Sequence, residues 1–496
     1  MDSWLTQIVS NGTNYVPAGT IEYQVELCLS VRDAIPHADR HYACRRVMEV
    51  GEWKEKNAKA RRYAHFDDKV SLDRVWSYIS NPNNIATHGF YPFIHYQKEQ
   101  NKFKQGEIVP KSRKICYSAH VDRYIYSYYG FKLNQFYNDY VLKKRLDEIA
   151  VAYRDNLKKS NIHFAKKAID RIRNLGNCFI IIGDFTDFFD SLDHGYLKQM
   201  LLKLLDMDYL PNDYYAVYKN ITRYSMWDLE NLLELNQLPN NEKGIKEFNC
   251  KDKAIELDDF KKIKKGNPDI LKINKSGFGV PQGSAISAVL SNIYMLDFDE
   301  ELTTLVRSHN GMYMRYSDDF IVILPKKNED IFKAQYIEIV NIISKVPRLK
   351  LQQQKTQVFS YEKMELKSCN SLVLCDVPNG KNFINYLGFT FDGKEVTIRE
   401  KTVAKYYYRM YRKLKTIIKH KGVTSTGKRI NCKNIYEKYS IKGAGGNSDE
   451  LFSKKGNFIS YVQRAGRIFG EPESINRKTK RHMLKIRRRL DKAFKA

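Results

Sequence analysis

The pattern of hydrophobic and polar positions along the chain predicts a mixture of helices and strands. Apolar residues recur at helical spacing over residues 121–140, and residues 161–174 have the same character. Residues 178–182 form a short, continuous apolar run rich in β-branched side chains, which indicates a buried strand. Two further apolar runs, 312–316 and 320–324, flank a polar tip and predict a β-hairpin.

The segments around these elements differ in composition. Residues 1–80 have a mostly helical pattern, after which Asn81-Pro82-Asn83-Asn84 predicts a loop. Residues 236–275 are dense in Lys, Asp and Glu, and we expect them to form an exposed insertion with a solvated charged face. Beyond Lys401 the pattern is basic and helical, and it predicts a cationic helix over residues 477–492.

The charge balance indicates the kind of partner. The 496-residue chain carries 84 Lys and Arg against 57 Asp and Glu, a net charge of +27. Solubility of a small domain requires a net charge of only about 2–8. So large a surplus predicts a polyanionic partner, and nucleic acid is the usual one for Lys and Arg. A generally basic surface is the alternative explanation.

Composition also argues against several other classes of protein. The charged fraction is 28%, and no apolar run approaches the roughly 20 residues that span a bilayer. The N-terminal residues lack the basic and apolar segments of a signal peptide, so we expect a cytoplasmic protein without a membrane partner. The eight cysteines include no C-x-x-C pair, which argues against a structural zinc site and a disulfide scaffold.

Three aspartates are the candidates for catalytic chemistry. Asp184 follows the predicted buried strand, and Asp318 and Asp319 occupy the tip of the predicted hairpin. Adjacent carboxylates repel each other unless a cation lies between them, and Mg²⁺ prefers such hard oxygen ligands. Nucleotidyl transfer uses two Mg²⁺ ions roughly 3.5–4 Å apart. If strand and hairpin share one sheet, the sequence predicts a two-magnesium site. Alone, an Asp-Asp pair would be an ordinary turn.

Five segments resemble, in order, the motifs of bacterial reverse transcriptases. They are residues 184–194 (motif A), 279–284 (motif B), Tyr316-Ser317-Asp318-Asp319 (the Tyr-x-Asp-Asp box), 349–356 (motif D) and 386–389 (motif E, the primer grip). The resemblance spans about residues 90–400. It implies an α+β right-hand polymerase with fingers over residues 86–178, after an N-terminal helical extension over 1–85. It further implies a palm over 179–400, which holds finger elements and the charged insertion, and a helical basic thumb and RNA-binding region over 401–496.

The same resemblance implies a role for individual residues. Asp184, Asp318 and Asp319 match the catalytic aspartates, and the backbone carbonyl of Phe185 matches a further metal ligand. The ring of Phe189 matches the side chain that clashes with a ribose 2′-hydroxyl, which implies the use of dNTPs. The other residues implied to bind dNTP are Arg113, Lys114, Arg154, Gln282, Gly283 and Lys355. The implied primer grip is Tyr386, Leu387 and Gly388, and the cations expected to contact nucleic acid are Arg477, Lys478, Arg481, Arg487 and Arg488.

The kind of reverse transcriptase is a finer question. Residues 423–427, Val-Thr-Ser-Thr-Gly, interrupt the Val-Thr-Gly of retron enzymes, and the cysteine spacing shows no endonuclease of the group II intron type. Residues 90–94, 152–154 and 455–465 resemble stand-alone enzymes of bacterial antiphage defence. That resemblance implies a structured noncoding RNA as template and a DNA product, and it leaves a homo-oligomer open. Retron or intron-type enzymes, an RNA-dependent RNA polymerase and a catalytically silent RNA-binding scaffold are the alternatives.

Overall fold

A computed structural model describes residues 49–104, 107–420, 433–443 and 456–494. Most of the predicted N-terminal extension lies outside the described residues, as do the whole of residues 423–427 and Lys455. No helix in the described ranges is long and apolar enough to cross a membrane. The α+β class that the sequence predicts is confirmed.

The helices are numbered in chain order within the described ranges. They are α1 Val50–Asn57, α2 Leu72–Ile79, α3 Pro82–Ala86, α4 His120–Lys143, α5 Asn161–Leu175, α6 Phe188–Ser191, α7 His194–Leu205, α8 Asn212–Thr222, α9 Leu229–Leu235, α10 Glu242–Cys250, α11 Leu257–Gly266, α12 Ala285–Tyr294, α13 Leu296–Ser308, α14 Glu329–Lys345, α15 Glu400–Lys419, α16 Lys433–Tyr439, α17 Phe458–Phe469, α18 Pro472–Asn476 and α19 His482–Phe494. Short 3₁₀ turns lie at Asp155–Leu157, Pro268–Ile270, Gln353–Lys355, Asn370–Leu372 and Ile441–Gly443.

The strands form three sheets. They are β1 Phe93–Lys104, β2 Glu107–Tyr117, β3 Asn177–Asp184, β4 Ser225–Asp228, β5 Lys272–Ile273, β6 Met312–Tyr316, β7 Asp319–Pro325, β8 Gln357–Glu362, β9 Glu365–Ser368, β10 Ile384–Tyr386, β11 Phe389–Phe391 and β12 Val396–Ile398. Their orders are β2-β1-β4-β5, β6-β7-β3-β8-β9 and β10-β11-β12.

The described residues fold into two compact units, each assembled from separate segments of the chain. Unit 1 comprises residues 49–156, 185–301 and 342–350, and unit 2 comprises the described residues of 157–184, 302–341 and 351–494. The predicted boundaries of fingers, palm and thumb are a different division of the chain, and they stay a prediction.

In unit 1 the long helix α4 begins at a charged cap. The two carboxylate oxygens of Asp67 accept hydrogen bonds of 2.9 Å from the backbone N–H groups of His120 and Val121. Those N–H groups have no partner inside the helix, and a negative charge is favourable at that end. Beyond the cap, Tyr124, Ile125 and other residues of α4 are buried, which confirms the helix predicted over 121–140.

Unit 2 is built around the antiparallel five-stranded sheet. The apolar β3 is its middle strand, with β7 on one side and β8 on the other. Six consecutive residues of β3 are buried, and the ring of Phe179 stacks on Phe332 of α14 at 4.1 Å between centroids. The strand, the hairpin of β6 and β7, and the helix predicted over 161–174 are therefore confirmed.

Three expectations about local structure were wrong in part. Asn81-Pro82-Asn83-Asn84 starts helix α3, because the Asn81 side chain caps the Asn83 N–H and proline suits the first helical turn. The charged insertion has an apolar inner face, since Phe248 is fully buried in a cluster with Phe66 and Trp227 of unit 1. The terminal cationic helix begins only at His482, after the separate short helix α18.

Candidate active site

The three predicted catalytic aspartates lie at one end of the five-stranded sheet in unit 2. Asp184 is the last residue of β3 and Asp319 the first of β7, and the two residues are direct partners in the antiparallel ladder. Asp318 is the second residue of the two-residue turn between β6 and β7, directly before Asp319. Directly opposite residues share a face, with Cβ atoms about 4.5–5.5 Å apart, so two like charges there destabilise the sheet.

Close packing beside the aspartates sets this geometry. A Cβ atom on Gly183 would lie 2.4 Å from the ring of Phe320, so glycine allows that ring to pack across β3 next to the carboxylates. At the tip of the hairpin, Ser317 takes a φ of 63° and is buried. The buried Arg315 donates a 3.0 Å hydrogen bond to the Ser317 carbonyl, which holds the turn in place.

The pKa values of the two hairpin aspartates, Asp318 and Asp319, are raised. Burial raises the pKa of Asp318, and the neighbouring Asp184 adds to the rise. Burial, Asp318 and Asp184 together raise the pKa of Asp319 to about 6, against the opposing effect of Lys355 and Arg399. The site therefore holds excess negative charge that a cation would relieve.

Lys355 supplies part of that relief. Its ammonium group forms an ion pair with Asp184 Oδ2, while Asp184 Oδ1 is buried and without a hydrogen-bond partner. Sequence reasoning assigned Lys355 to the nucleotide, whereas the structure pairs it with Asp184, a predicted catalytic aspartate. In the described part of the chain, no three His, Cys, Asp or Glu side chains are already arranged as a metal site.

The residues present nevertheless fit a divalent cation. They offer hard oxygen ligands, an unpartnered buried carboxylate oxygen and mutual repulsion that metal binding would remove.

The predicted primer grip is a tight turn in unit 2. Leu387 has a φ of 46° and Gly388 a φ of 93°, and the turn joins β10 to β11. Asn161 at the start of α5 donates a 2.8 Å hydrogen bond to the Leu387 carbonyl, and its amide nitrogen also lies 2.9 Å from the Tyr461 hydroxyl. Along the chain Asn161 is 226 and 300 residues from these two partners, and no sequence pattern singled it out.

The predicted motif A and motif B residues of unit 1 are joined by hydrogen bonds. The Phe189 carbonyl accepts from the Val280 N–H at 2.9 Å, and the Gln282 amide donates to Asp190 Oδ2 at 3.0 Å. Burial of its carboxyl raises the pKa of Asp190, while Lys114 opposes that rise. Asp190 was not among the predicted site residues, although it lies within motif A.

Gly283 meets a requirement that other residues cannot. Its φ is 119°, and a Cβ atom there would lie 2.3 Å from the Cys116 carbonyl oxygen. The Cys116 N–H donates to the Gln282 carbonyl at 2.8 Å, so the loop lies directly against strand β2. Glycine is the residue that permits this approach of backbone to backbone.

The prediction that Arg154 binds a nucleotide triphosphate conflicts with its placement. The Arg154 side chain is fully buried and forms an ion pair with Asp147. It also donates to the Asp147 carbonyl at 2.5 Å and to Asn138 at 2.8 Å. These bonds occupy the guanidinium within unit 1, so Arg154 supports the fold. Arg113 and Lys114, by contrast, are exposed on β2.

The predicted nucleic-acid cations fall into two groups. Arg477 pairs with Glu395, and Lys478 pairs with Glu400 at 2.9 Å. Arg481, Arg487 and Arg488 are exposed at or beside α19. The latter group is better placed to contact a phosphate backbone.

Two further predicted site residues, Phe185 and Tyr386, are buried. Phe185 is buried against Phe188 and Phe298, with ring centroids 5.9 and 5.7 Å away. Tyr386 is buried too, and its hydroxyl has no hydrogen-bond partner among the described residues.

Comparison with known proteins identifies a family. The family model described as "Reverse transcriptase (RNA-dependent DNA polymerase)" matches residues 137–391, slightly more than half of the chain. No curated protein matches the chain.

Solved structures of telomerase are similar at low identity. Apo telomerase from Candida tropicalis, truncated from the C-terminal domain, is 13% identical with a TM-score of 0.38, over 66% of this chain and 60% of that chain. Telomerase from Candida albicans in complex with a TWJ fragment of telomeric RNA is 16% identical with a TM-score of 0.35, over 89% and 62%. The chain thus covers about three fifths of the length of these structures.

Proposed function

Because the chain belongs to the reverse transcriptase (RNA-dependent DNA polymerase) family, we propose that it is an active enzyme that copies RNA into DNA from dNTPs. The observation that carries the proposal is the direct pairing of Asp184 with Asp319 in the sheet, next to Asp318. A scaffold without catalysis would gain nothing from three carboxylates that repel each other at one sheet end.

Each aspartate has a proposed part in the reaction. Two Mg²⁺ ions, when bound, would activate the primer 3′-hydroxyl and neutralise charge on the phosphoryl group. Asp184 and Asp318 are the proposed ligands, with Asp319 and the Phe185 carbonyl as companions. The ammonium group of Lys355 pairs with Asp184. We propose that it is the acid that protonates the pyrophosphate leaving group.

Selection of the nucleotide is assigned to the motif A and motif B loops. The ring of Phe189 would exclude a ribose 2′-hydroxyl and so favour dNTPs. The bond from Gln282 to Asp190 fixes the Gln282 side chain, and Lys114 and Arg113 offer exposed cations for a triphosphate. Gly283 would let the loop approach the template–nucleotide pair closely.

We extend the proposal to a biological setting. The net charge of +27 and the exposed Arg481, Arg487 and Arg488 suit a structured RNA bound through its backbone. We therefore propose a noncoding RNA as the template and a role in bacterial antiphage defence in the cytoplasm. The sequences of residues 90–94, 152–154 and 455–465 support this through their resemblance to defence-associated enzymes.

Incorporation of radiolabelled dNTPs and NTPs tests the enzymatic proposal. We expect Mg²⁺-dependent incorporation of dNTPs, which Asp318→Ala abolishes and the exposed-site control Asp330→Ala preserves. Phe189→Ala should raise the use of NTPs relative to dNTPs. Incorporation that survives Asp318→Ala would refute the catalytic assignment, and a wild type that prefers NTPs would indicate an RNA-dependent RNA polymerase.

A second experiment tests the biological setting. Phage plating on the native host should show protection that Asp318→Ala abolishes, and sequencing of copurified nucleic acid should identify one dominant noncoding RNA with its complementary DNA. Unchanged phage plating, or a random mixture of bound RNAs, would contradict the proposed defence role.

A further inference from the structure

Unit 1 contains a cavity of about 210 Å³ that the proposed polymerase reaction does not use. Residues of α1 and α4 form most of its wall, and Ala285 and Val289 of α12 lie on another side. Aromatic rings and amides dominate the lining. The lining includes the rings of Trp53, Phe131 and Tyr153 and the amides of Asn134 and Asn156.

The backbone on both sides of Tyr153 is fixed, which holds the tyrosine in the lining of the cavity. The Ala152 carbonyl accepts a 3.0 Å hydrogen bond from Asn292, and Arg154 is buried in its network with Asp147. Between these anchors Tyr153 adopts a φ of 63° and remains 44% exposed. A non-glycine residue in this region costs free energy and is a recognised feature of ligand sites.

The amides of the lining have unused hydrogen-bonding capacity. The Oδ1 atoms of Asn134 and Asn156 are buried and have no hydrogen-bond partner. A buried acceptor without a partner is unfavourable by about 1–3 kcal/mol. Rotating either amide by half a turn exchanges its oxygen with its nitrogen, so each side chain can offer an acceptor or a donor to a molecule in the cavity.

The volume of the cavity and the charge of its lining indicate which kind of molecule it can bind. A cavity of ~150 Å³ accommodates a benzene ring, so the present one has room for a ring with exocyclic groups or two fused rings. Lys56 is the one charged side chain among the described lining residues, and Arg154 is fully buried elsewhere. The cavity is therefore suited to a neutral molecule rather than to a triphosphate.

We propose that this cavity binds a single nucleobase. Asn and Gln side chains pair with the donor and acceptor edges of bases, and unstacked bases of RNA bind between aromatic side chains. The base would contact Tyr153 and the amides of Asn134 and Asn156. Its source is either a free nucleoside or an unpaired nucleotide of a bound RNA. The proposal does not depend on polymerase activity.

Binding measurements on the full chain test the proposal. Equilibrium dialysis with each of the four tritiated ribonucleosides, and fluorescence anisotropy with 12-nucleotide RNAs of a single base, would compare wild type with variants. Asn134→Leu removes the amide and keeps the number and branching of side-chain heavy atoms, and Ser127→Phe fills the cavity. Asn212→Leu, an exposed asparagine of the same unit, is the matched control.

We expect saturable binding of at least one base, weakened about tenfold by Asn134→Leu and abolished by Ser127→Phe, with Asn212→Leu unchanged. A tenfold loss corresponds to about one hydrogen bond. If these two substitutions weaken the binding of nucleosides, a free nucleoside is a source of the base. If they weaken only the binding of RNA, the base belongs to an unpaired nucleotide of the RNA.

Two results would overturn the proposal: no saturable binding, or binding that Asn134→Leu and Ser127→Phe leave unchanged. If Asn134→Leu misfolds by circular dichroism, Asn156→Leu replaces it under the same criteria. Asp318→Ala should bind like wild type, so a failure of this proposal is distinct from a failure of the polymerase assignment.

Discussion

Replacing Asp319 by Asn should stabilise the metal-free protein, because the site holds repelling carboxylates. Burial of the carboxyl, followed by the charges of Asp318 and Asp184, raises the pKa of Asp319 to about 6 from an ordinary 3.8. At about 1.36 kcal/mol per pKa unit, the full shift is about 3 kcal/mol. Asp319 is exposed by more than a third, so solvent screening reduces this to about 1–1.5 kcal/mol.

The sign of the pH dependence follows from the raised value. Protonation of Asp319 stabilises the folded state, and this stabilisation is complete below about pH 4 and is lost as the pH rises through about 6. Asn never ionises. The advantage of Asp319→Asn over wild type should therefore be small near pH 4 and largest above about pH 6.

Thermal melting with EDTA at pH 4.5 and pH 8 measures the effect. A gain of 1 kcal/mol raises the Tm by roughly 2–4 °C in a unit of this size. We expect a rise of that order at pH 8 and little at pH 4.5, with Asp330→Asn unchanged at both. Mg²⁺ should stabilise wild type more than Asp319→Asn. Equal Tm values at pH 8, or a gain independent of pH, would refute the argument.

Three further substitutions test other contacts. Arg154→Leu should destabilise the protein by about 3–5 kcal/mol in urea unfolding, because it removes the cation that faces the buried Asp147 carboxylate; a change below 1 kcal/mol would contradict the buried ion pair. Asn161→Leu should raise the KM for primer–template with little change in the KM for dNTP, since it frees the Leu387 carbonyl; equal changes in both values would argue against a role in positioning the primer. Gly283→Ala should lower kcat and stability together, because its Cβ would lie 2.3 Å from a backbone oxygen; wild-type kcat would show that the loop yields easily.

In the five-stranded sheet, the local sequence predicts individual strands but not which strands pair. The apolar run at 178–182 and the two arms of the hairpin were evident in the sequence because apolar runs and the turns that bound them are local properties. That β7 lies beside β3, with Asp184 opposite Asp319, depends on pairing between residues 135 positions apart. The five motifs in order made this pairing an expectation through resemblance alone.

Contacts of individual side chains were less predictable. Arg154 matched a cationic motif, yet the structure buries it with Asp147, because a local sequence does not reveal which side of a loop faces the core. Lys355 contacts Asp184 across 171 residues, and Asn161 reaches Leu387 across 226. Such pairs carry no periodicity and no local signal.

By itself, the sequence determined the types of the main elements, the excess of positive charge and the identity of the three carboxylates. Tertiary structure decided which groups surround those carboxylates, that the charged insertion buries Phe248, and that Tyr153 stands at a cavity. The physical reason is the same in each case. Secondary structure follows from short-range periodicity, whereas burial, pKa shifts and ion pairs depend on neighbours that only the folded chain brings together.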